Sequence, residues 1–343
     1  MKKLTLDNIA ELAGVSRATV SRVINGYPHI KPDVRERVQA IITKTGFTPN
    51  PIARSLASDR SGIIGLVIPN SPRMVFTDPY FPTLIQGISQ ATNRLSLTLS
   101  LFLLASTDDE DRTIRSLLST SLLDGVIITA DRREDSFVPR FMDHGLPFVL
   151  IGRPEKNADI TYIDCDNFAG GYMAAEHLIK LGRRRVAIVG SNGNTAGDDR
   201  ISGYRKALQD YGLVEETALM ICGDFSMQSG YDAMNGILQA KPDAVFVASD
   251  TMALGVLRAI REARLSVPDD IAVVGFDDLP PALQADPPLT TIRQPIEQLG
   301  VLAVEHLHKL IGKDAPKAVH TILPTTLIIR ASCGAAQSGL STN

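Results

Sequence analysis

Residues 6–25 read LDNIAELAGVSRATVSRVIN, and no other stretch constrains the chain as tightly. An apolar-periodic run (Leu6, Ile9, Ala10, Ala13) meets the three-residue turn Gly14-Val15-Ser16. A second periodic run (Ala18, Val20, Val23, Ile24) follows at once. Two short helices joined by a glycine-containing turn have the helix-turn-helix geometry, whose second helix fits the major groove of duplex DNA. Thr5 suits the N-cap of the first helix, with Asp7 in its first turn favouring the helix dipole. Ser16 suits the N-cap of the second. A third helix is expected from Pro32 to about Gly46, with Val34, Val38, Ile41 and Ile42 closing a three-helix core.

The side chains left outside that core are the candidate readers. In a helix beginning near Arg17, the residues Arg17, Ala18, Ser21 and Arg22 face away from Val20, Val23 and Ile24. Arginine donates two hydrogen bonds to guanine N7 and O6, and Ala18 offers only an apolar contact, such as one to a thymine methyl. Thr19 and Ser21 suit phosphate or sugar contacts, as do Asn25 and His29 in the loop before the third helix. Overall charge argues against a nucleic-acid partner, because the chain is at −3. Its distribution argues the other way. Residues 1–60 hold ten Lys/Arg against five Asp/Glu, a net of +5, which leaves −8 for the remainder. A basic head on an acidic body confines phosphate contacts to the head.

Past the head, Asn50 to Leu56 read NPIARSL. Asn50 to Ser58 have room for about two helical turns, a length at which an isolated helix is marginal in water. From Ile63 onward, β-like runs alternate with helical ones. They are 63–69, 97–105, 125–130, 147–152, 160–166, 185–190, 219–225, 244–249 and 271–276. Such alternation predicts parallel sheets covered by helices, and some 270 residues suit two α/β halves better than one.

The motifs AGVSRATVSRVIN and NPIARSLAS, together with this organisation, resemble the LacI/GalR family of transcriptional regulators over nearly the whole length. The resemblance implies an all-α helix-turn-helix head (1–48), a hinge helix and linker (49–61), and a periplasmic-binding-protein-like body (62–330). The body would be two doubly wound parallel-sheet subdomains, about 62–161 with 293–322 and about 163–291 with 324–330, the chain crossing near Tyr162, Ile292 and Leu323. Residues 331–343 are expected to be a disordered tail; they carry no leucine heptad, so no coiled coil is expected there. The resemblance further implies that the hinge becomes a helix on operator DNA, paired with its twin from a second subunit. Asn50, Ala53 and Leu56 match the family there. Small Ala53 permits close approach, Leu56 is the wedge that opens a minor-groove step, and Arg54 meets phosphate.

Ligands of doubly wound sheets bind off the carboxyl ends of the strands. Tyr80, Phe81, Arg153, Asp198, Arg200, Phe225, Ser249, Asp250, Asp277 and Asp278 all follow strand-like runs. The resemblance favours Tyr80, Phe81, Arg200, Phe225, Ser249 and Asp277 as effector contacts, with Gln294 in the TTIRQP crossover behind them. Carboxylates accept sugar hydroxyls, arginine donates to oxygens, and aromatic rings stack on a pyranose. Asp250 equally suits a cap on the following helix, and Phe81 a core position. The loop GSNGNTAG (190–197) lacks the endings of a P-loop or a dinucleotide site and is taken as a flexible ligand loop.

No GxSxG, HExxH or CxxC occurs, and His306 and His308 lie two apart on a helix, on different sides. The chain is therefore expected to be no enzyme and to need no cofactor or metal. Three widely spaced cysteines (Cys165, Cys222, Cys333) fit reduced thiols. No run of 18 apolar residues predicts a membrane span, and Asp7 and Glu11 interrupt any signal-peptide core, so a cytoplasmic location is expected. The expectation is a homodimeric repressor of a palindromic operator, released by a small effector, most simply a carbohydrate. Two alternatives stay open: control of the body by a protein partner, and a purine-like co-repressor, since Phe225 and Arg200 occur at matching places in a purine-responsive relative.

Overall fold

The computed structural model describes residues 4–24, 27–47, 60–104, 107–119, 122–129, 138–154, 159–312 and 317–335. The chain divides after Gly62 into two compact units. The first is three helices, α1 (Leu6–Ala13), α2 (Arg17–Ile24) and α3 (Pro32–Thr45). Local chemistry sets each boundary. Thr5 and Asn8 form a reciprocal capping box, with the Asn8 amide donating to Thr5 Oγ1 at 3.3 Å and the Thr5 amide to Asn8 Oδ1 at 3.0 Å. Gly14 ends α1 at φ 61°, a left-handed conformation that suits glycine. Ser16 Oγ then accepts the Thr19 amide at 3.1 Å and opens α2. Ile9, Ala10, Ala13, Val20, Val23, Val38 and Phe47 are the buried core of this unit.

The second unit holds the sheets. Its strands among the described residues are β1 (Ile63–Ile68), β2 (Thr98–Leu103), β3 (Gly125–Thr129), β4 (Phe148–Ile151), β5 (Tyr162–Cys165) and β6 (Val186–Ser191). They continue as β7 (Met220–Gly223), β8 (Ala244–Val247), β9 (Ala272–Asp277), β10 (Thr290–Arg293), β11 (His320–Leu323) and β12 (Thr326–Ile328). The helices are α4 (Pro72–Thr77), α5 (Tyr80–Arg94), α6 (Thr107–Ser119), α7 (Val138–His144) and α8 (Asn167–Lys180). After them come α9 (Thr195–Asp210), α10 (Met227–Leu238), α11 (Asp250–Glu262), α12 (Pro280–Gln284) and α13 (Ile296–Leu310).

Two six-stranded sheets result, ordered β2-β1-β3-β4-β5-β11 and β7-β6-β8-β9-β10-β12. Every pairing is parallel except β10 with β12. Strands β3, β4, β8 and β9 are buried throughout, which is why they read as unbroken apolar runs and not as alternating ones. The two orders match strand for strand, so each lobe turns its topological switch point, between its first and third strands, toward one end of its sheet.

The chain crosses between lobes three times. Tyr162 and Ile163 pair with Leu150 and Ile151, and all four residues of β5 pair with β11, so the first crossing falls after Cys165 and not near Tyr162. The others fall between β10 and α13 and between β11 and β12. Those three last strands were not expected as strands. They are three or four residues long and rich in threonine, and β11 and β12 are half-exposed, leaving too little apolar pattern to read. The tail is also corrected. Residues 331–335 are part of the second lobe: Ser332 is fully buried, its Oγ donates to the Val273 carbonyl at 2.6 Å, and the Thr290 amide donates to that Oγ at 2.8 Å.

Candidate functional site

In the first unit, burial of Val20 and Val23 turns the opposite side of α2 outward. Arg17, Ala18 and Arg22 are exposed there, with Thr19 and Ser21 half-buried. Arg17 Nε stands 3.9 Å from Asp7 Oδ1 with both side chains two-thirds exposed, a contact too weak to hold the guanidinium back from a base edge. Thr19 Oγ1 shares a 2.9 Å hydrogen bond with Ser16 Oγ, so both hydroxyls belong to the helix start. Thr5 is the exposed cap of α1, and His29 is exposed in the turn before α3. Asn25, Asn50, Ala53, Arg54 and Leu56 lie outside the described residues.

In the second unit, a cavity of about 680 Å³ opens between the lobes at the carboxyl ends of the strands. Asn70 follows β1, Thr129 and Asp164 lie on β3 and β5, and Asp78, Tyr80 and Phe81 come from the α4–α5 corner. The second lobe adds Asn167, residues 191–196, Arg200, Asp224, Phe225 and Asp277, and the crossover adds Gln294. Arg200 is the centre of the second wall. Its Nε donates to Asn167 Oδ1 at 2.9 Å and its Nη1 to the Ala248 carbonyl at 2.6 Å, while the guanidinium lies 3.6 Å from the centre of the Phe276 ring. Asp277 Oδ1 sits 3.8 Å from Arg200 Nη1 and accepts from Gln294 Nε2 at 2.6 Å. Helix packing sets this arrangement: α8 and α9 approach so closely at Gly171 and Gly203 that a Cβ on either would strike the partner's backbone. The backbone that Gly171 meets is that of Arg200 itself, so the contact fixes where this side chain starts.

The wall is electrostatically tense. Burial pushes the Asp164 carboxyl up to about 6, even though it accepts the Cys165 amide at 2.8 Å and Asn167 Nδ2 at 3.0 Å. Burial also raises Asp78, and raises Asp277 despite Arg200 beside it. Asp224 moves the other way, because it accepts hydrogen bonds from Ser226. Thr129 Oγ1 and Ser191 Oγ are buried with no hydrogen-bond partner. The backbone is tense as well: Phe225 (φ 69°), Asp277 (φ 121°) and Asp278 (φ 59°) hold positive φ without being glycine, all at strand ends beside the cavity. Such strain concentrates at binding sites.

Of the ten residues expected at an effector site, Tyr80, Phe81, Arg200, Phe225, Asp277 and Gln294 line the cavity. The other four are placed elsewhere. Ser249, not Asp250, is the N-cap of α11, accepting the Met252 amide at 3.2 Å. Asp250 is fully buried behind the wall, bonded to Thr291 Oγ1 at 2.6 Å and the Leu279 amide at 3.0 Å. Asp198 sits in the first turn of α9 off the cavity lining. Arg153 bridges the lobes at the rim, pairing with Asp199 at 2.5 Å while its carbonyl accepts from Thr195 Oγ1 at 2.7 Å. Asp78, Asn167, Thr129 and Ser191 were missed. Ser191 lies in the 190–197 loop already singled out, Thr129 had only its place at the end of β3 to mark it, and Asp78, in the corner after α4, had no such mark.

Residues 5–50 match the family described as bacterial regulatory proteins, lacI family, and residues 175–333 match the periplasmic binding protein-like domain. The regulator CelR of Thermobifida fusca is 36% identical over 337 residues, 96% of this chain and 98% of CelR. The chain belongs to the LacI family of transcriptional regulators. The ribose operon repressor of Escherichia coli is another relative of this LacI-family chain, 34% identical across 88% of the chain and 92% of the repressor. Among solved structures, the CelR–cellobiose complex aligns at a TM-score of 0.77 with 34% identity, over 96% of the chain and 99% of CelR. A Lac repressor dimer bound to operator and the anti-inducer ONPF aligns at 0.84 with 29% identity, over 97% and 99%. Family membership makes the head a DNA-binding domain and the protein a transcriptional regulator, and its relatives are regulators and not enzymes. No helix among the described residues is long and apolar enough to cross a membrane.

Proposed function

We propose that this LacI-family regulator is a cytoplasmic homodimeric repressor whose affinity for a palindromic operator falls when a carbohydrate enters the interlobe cavity. Arg17 and Arg22 read bases in the major groove, with Ala18 in apolar contact and Ser16, Thr19, Ser21, Asn25 and His29 toward the backbone. Residues 49–61 pair as hinge helices, with Leu56 wedged into the central minor groove. The observation that carries the effector half is the cavity itself, which joins acceptor carboxylates, one arginine and aromatic rings from both lobes. A ligand touching both lobes favours one relative setting of the two, and a change in that setting is what a hinge dimer senses. Cellobiose bound to CelR and the ribose repressor's name favour a sugar over a purine.

The test is a titration of labelled operator DNA with and without a sugar panel. One sugar is expected to weaken specific binding at least tenfold while leaving salt-sensitive non-specific binding unchanged. A purine that tightens binding, or a response only to an added protein, would replace the sugar reading.

A further inference from the structure

Granted that the cavity takes a carbohydrate, we infer that its effector is an uncharged, disaccharide-length sugar that spans both lobes, with Thr129 and Ser191 as hydrogen-bond partners that select it. Size permits the length. The cavity of about 680 Å³ lies within the roughly 300–1,000 Å³ range of sites that enclose ligands of drug size, so a disaccharide has room in it. The rings of the wall agree, since Tyr80 and Phe81 belong to the first lobe and Phe225 to the second, offering an aromatic platform to each of two pyranose units.

Charge excludes a phosphorylated sugar. Four carboxyl groups, Asp78, Asp164, Asp224 and Asp277, line the cavity against Arg200 as its one cation among the described residues. That guanidinium is already bonded to Asn167 and the Ala248 carbonyl, close to Asp277 and stacked on Phe276. A phosphate would enter beside three buried carboxyl groups, Asp78, Asp164 and Asp277, and the exposed Asp224, with only the already engaged Arg200 to meet it. Neutral hydroxyls donate to those same carboxylates at no such cost.

The two hydroxyls without partners complete the site. Thr129 is 2% exposed and Ser191 1%, each with a buried oxygen that has no partner in the protein, and both line the cavity. Buried hydroxyls are rarely left unbonded, so a ligand is the natural partner. One comes from β3 of the first lobe and the other from β6 of the second, and a sugar that satisfies both must bridge the lobes.

Calorimetry on the full-length protein tests this with glucose, galactose, cellobiose, maltose, lactose, sucrose and trehalose, and with glucose 6-phosphate and trehalose 6-phosphate. At least one neutral disaccharide is expected to bind ten times or more tighter than either monosaccharide and than either phosphate ester. Thr129→Val and Ser191→Ala are each expected to weaken that disaccharide about tenfold while the ligand-free melting temperature stays level or rises. A purely structural hydroxyl would lower the melting temperature and leave affinity alone, which overturns the selecting role. Preference for a monosaccharide or a phosphate ester overturns the class while leaving the carbohydrate reading intact. Silence from every sugar overturns both.

Discussion

Asp164 shows how a single side chain reports on the cavity. Burial raises its carboxyl from the ordinary 3.8 to about 6, so folding favours the protonated form. The stability this adds is fully present below about pH 4 and is lost as pH climbs through about 6. Asp164→Asn keeps an acceptor for the Cys165 amide and removes the titration. Between pH 4 and pH 7 the variant is expected to gain on the wild type by on the order of 2 kcal/mol, read from melting temperatures across that range; parallel curves would show that the carboxyl is solvated. On the head, Arg17 is exposed and held only by a long contact to Asp7. Arg17→Ala is expected to weaken specific operator binding by about 1–3 kcal/mol and to relax the preference at one base pair, measured by binding to a set of operator variants. A uniform loss across all variants would make Arg17 a phosphate contact.

Elements differ in how much of themselves they announce. The helices of the head are bounded by Thr5, Gly14, Ser16, Pro32 and Gly46, residues whose local chemistry starts or stops a helix wherever it occurs, and they were legible at once. The buried parallel strands were legible for a related reason, since only an unbroken apolar run suits a strand covered on both faces. Strands β10, β11 and β12 were not, because their strand state comes from pairing with distant partners and not from their own pattern. The α8–α9 contact was equally hidden in Gly171 and Gly203. Gly203→Ala places a methyl against the backbone of Phe168 and Tyr172, which cannot yield as a side chain would. It is expected to cost about 1–3 kcal/mol in urea unfolding and to weaken effector binding as Arg200 shifts. For the hinge, Leu56→Ala should lower specific operator affinity while weak, salt-dependent binding to random DNA persists in the same titration. Equal specific affinity would remove the wedge.

At the scale of the whole body, function depends on the relation between two similar lobes. Three chain crossings join them, and at the rim the Arg153–Asp199 pair and the Thr195 bond to the Arg153 carbonyl hold them together. Arg153→Ala is expected to loosen effector binding by no more than about fivefold, because a part-exposed ion pair is worth up to about 1 kcal/mol. Small-angle scattering should show the ligand-free variant wider, with the gap closing at saturating effector. An unchanged profile would make the pair incidental.

The division of labour follows from the range of the forces involved. Caps, turn glycines and apolar periodicity act within a few residues, so the chain order alone was enough to reveal a helix-turn-helix head and an alternating α/β body with its binding ends. Asp250 and Ser249 are adjacent in sequence and both follow a strand, yet one is buried behind the wall and the other caps a helix. Arg153 met a carboxylate across the rim. Thr129 and Ser191, both in the cavity wall, were left with buried hydroxyls that have no partner in the protein. Those outcomes depend on which groups far apart in the chain come to share one low-dielectric gap, and only the packing of the two lobes decides that.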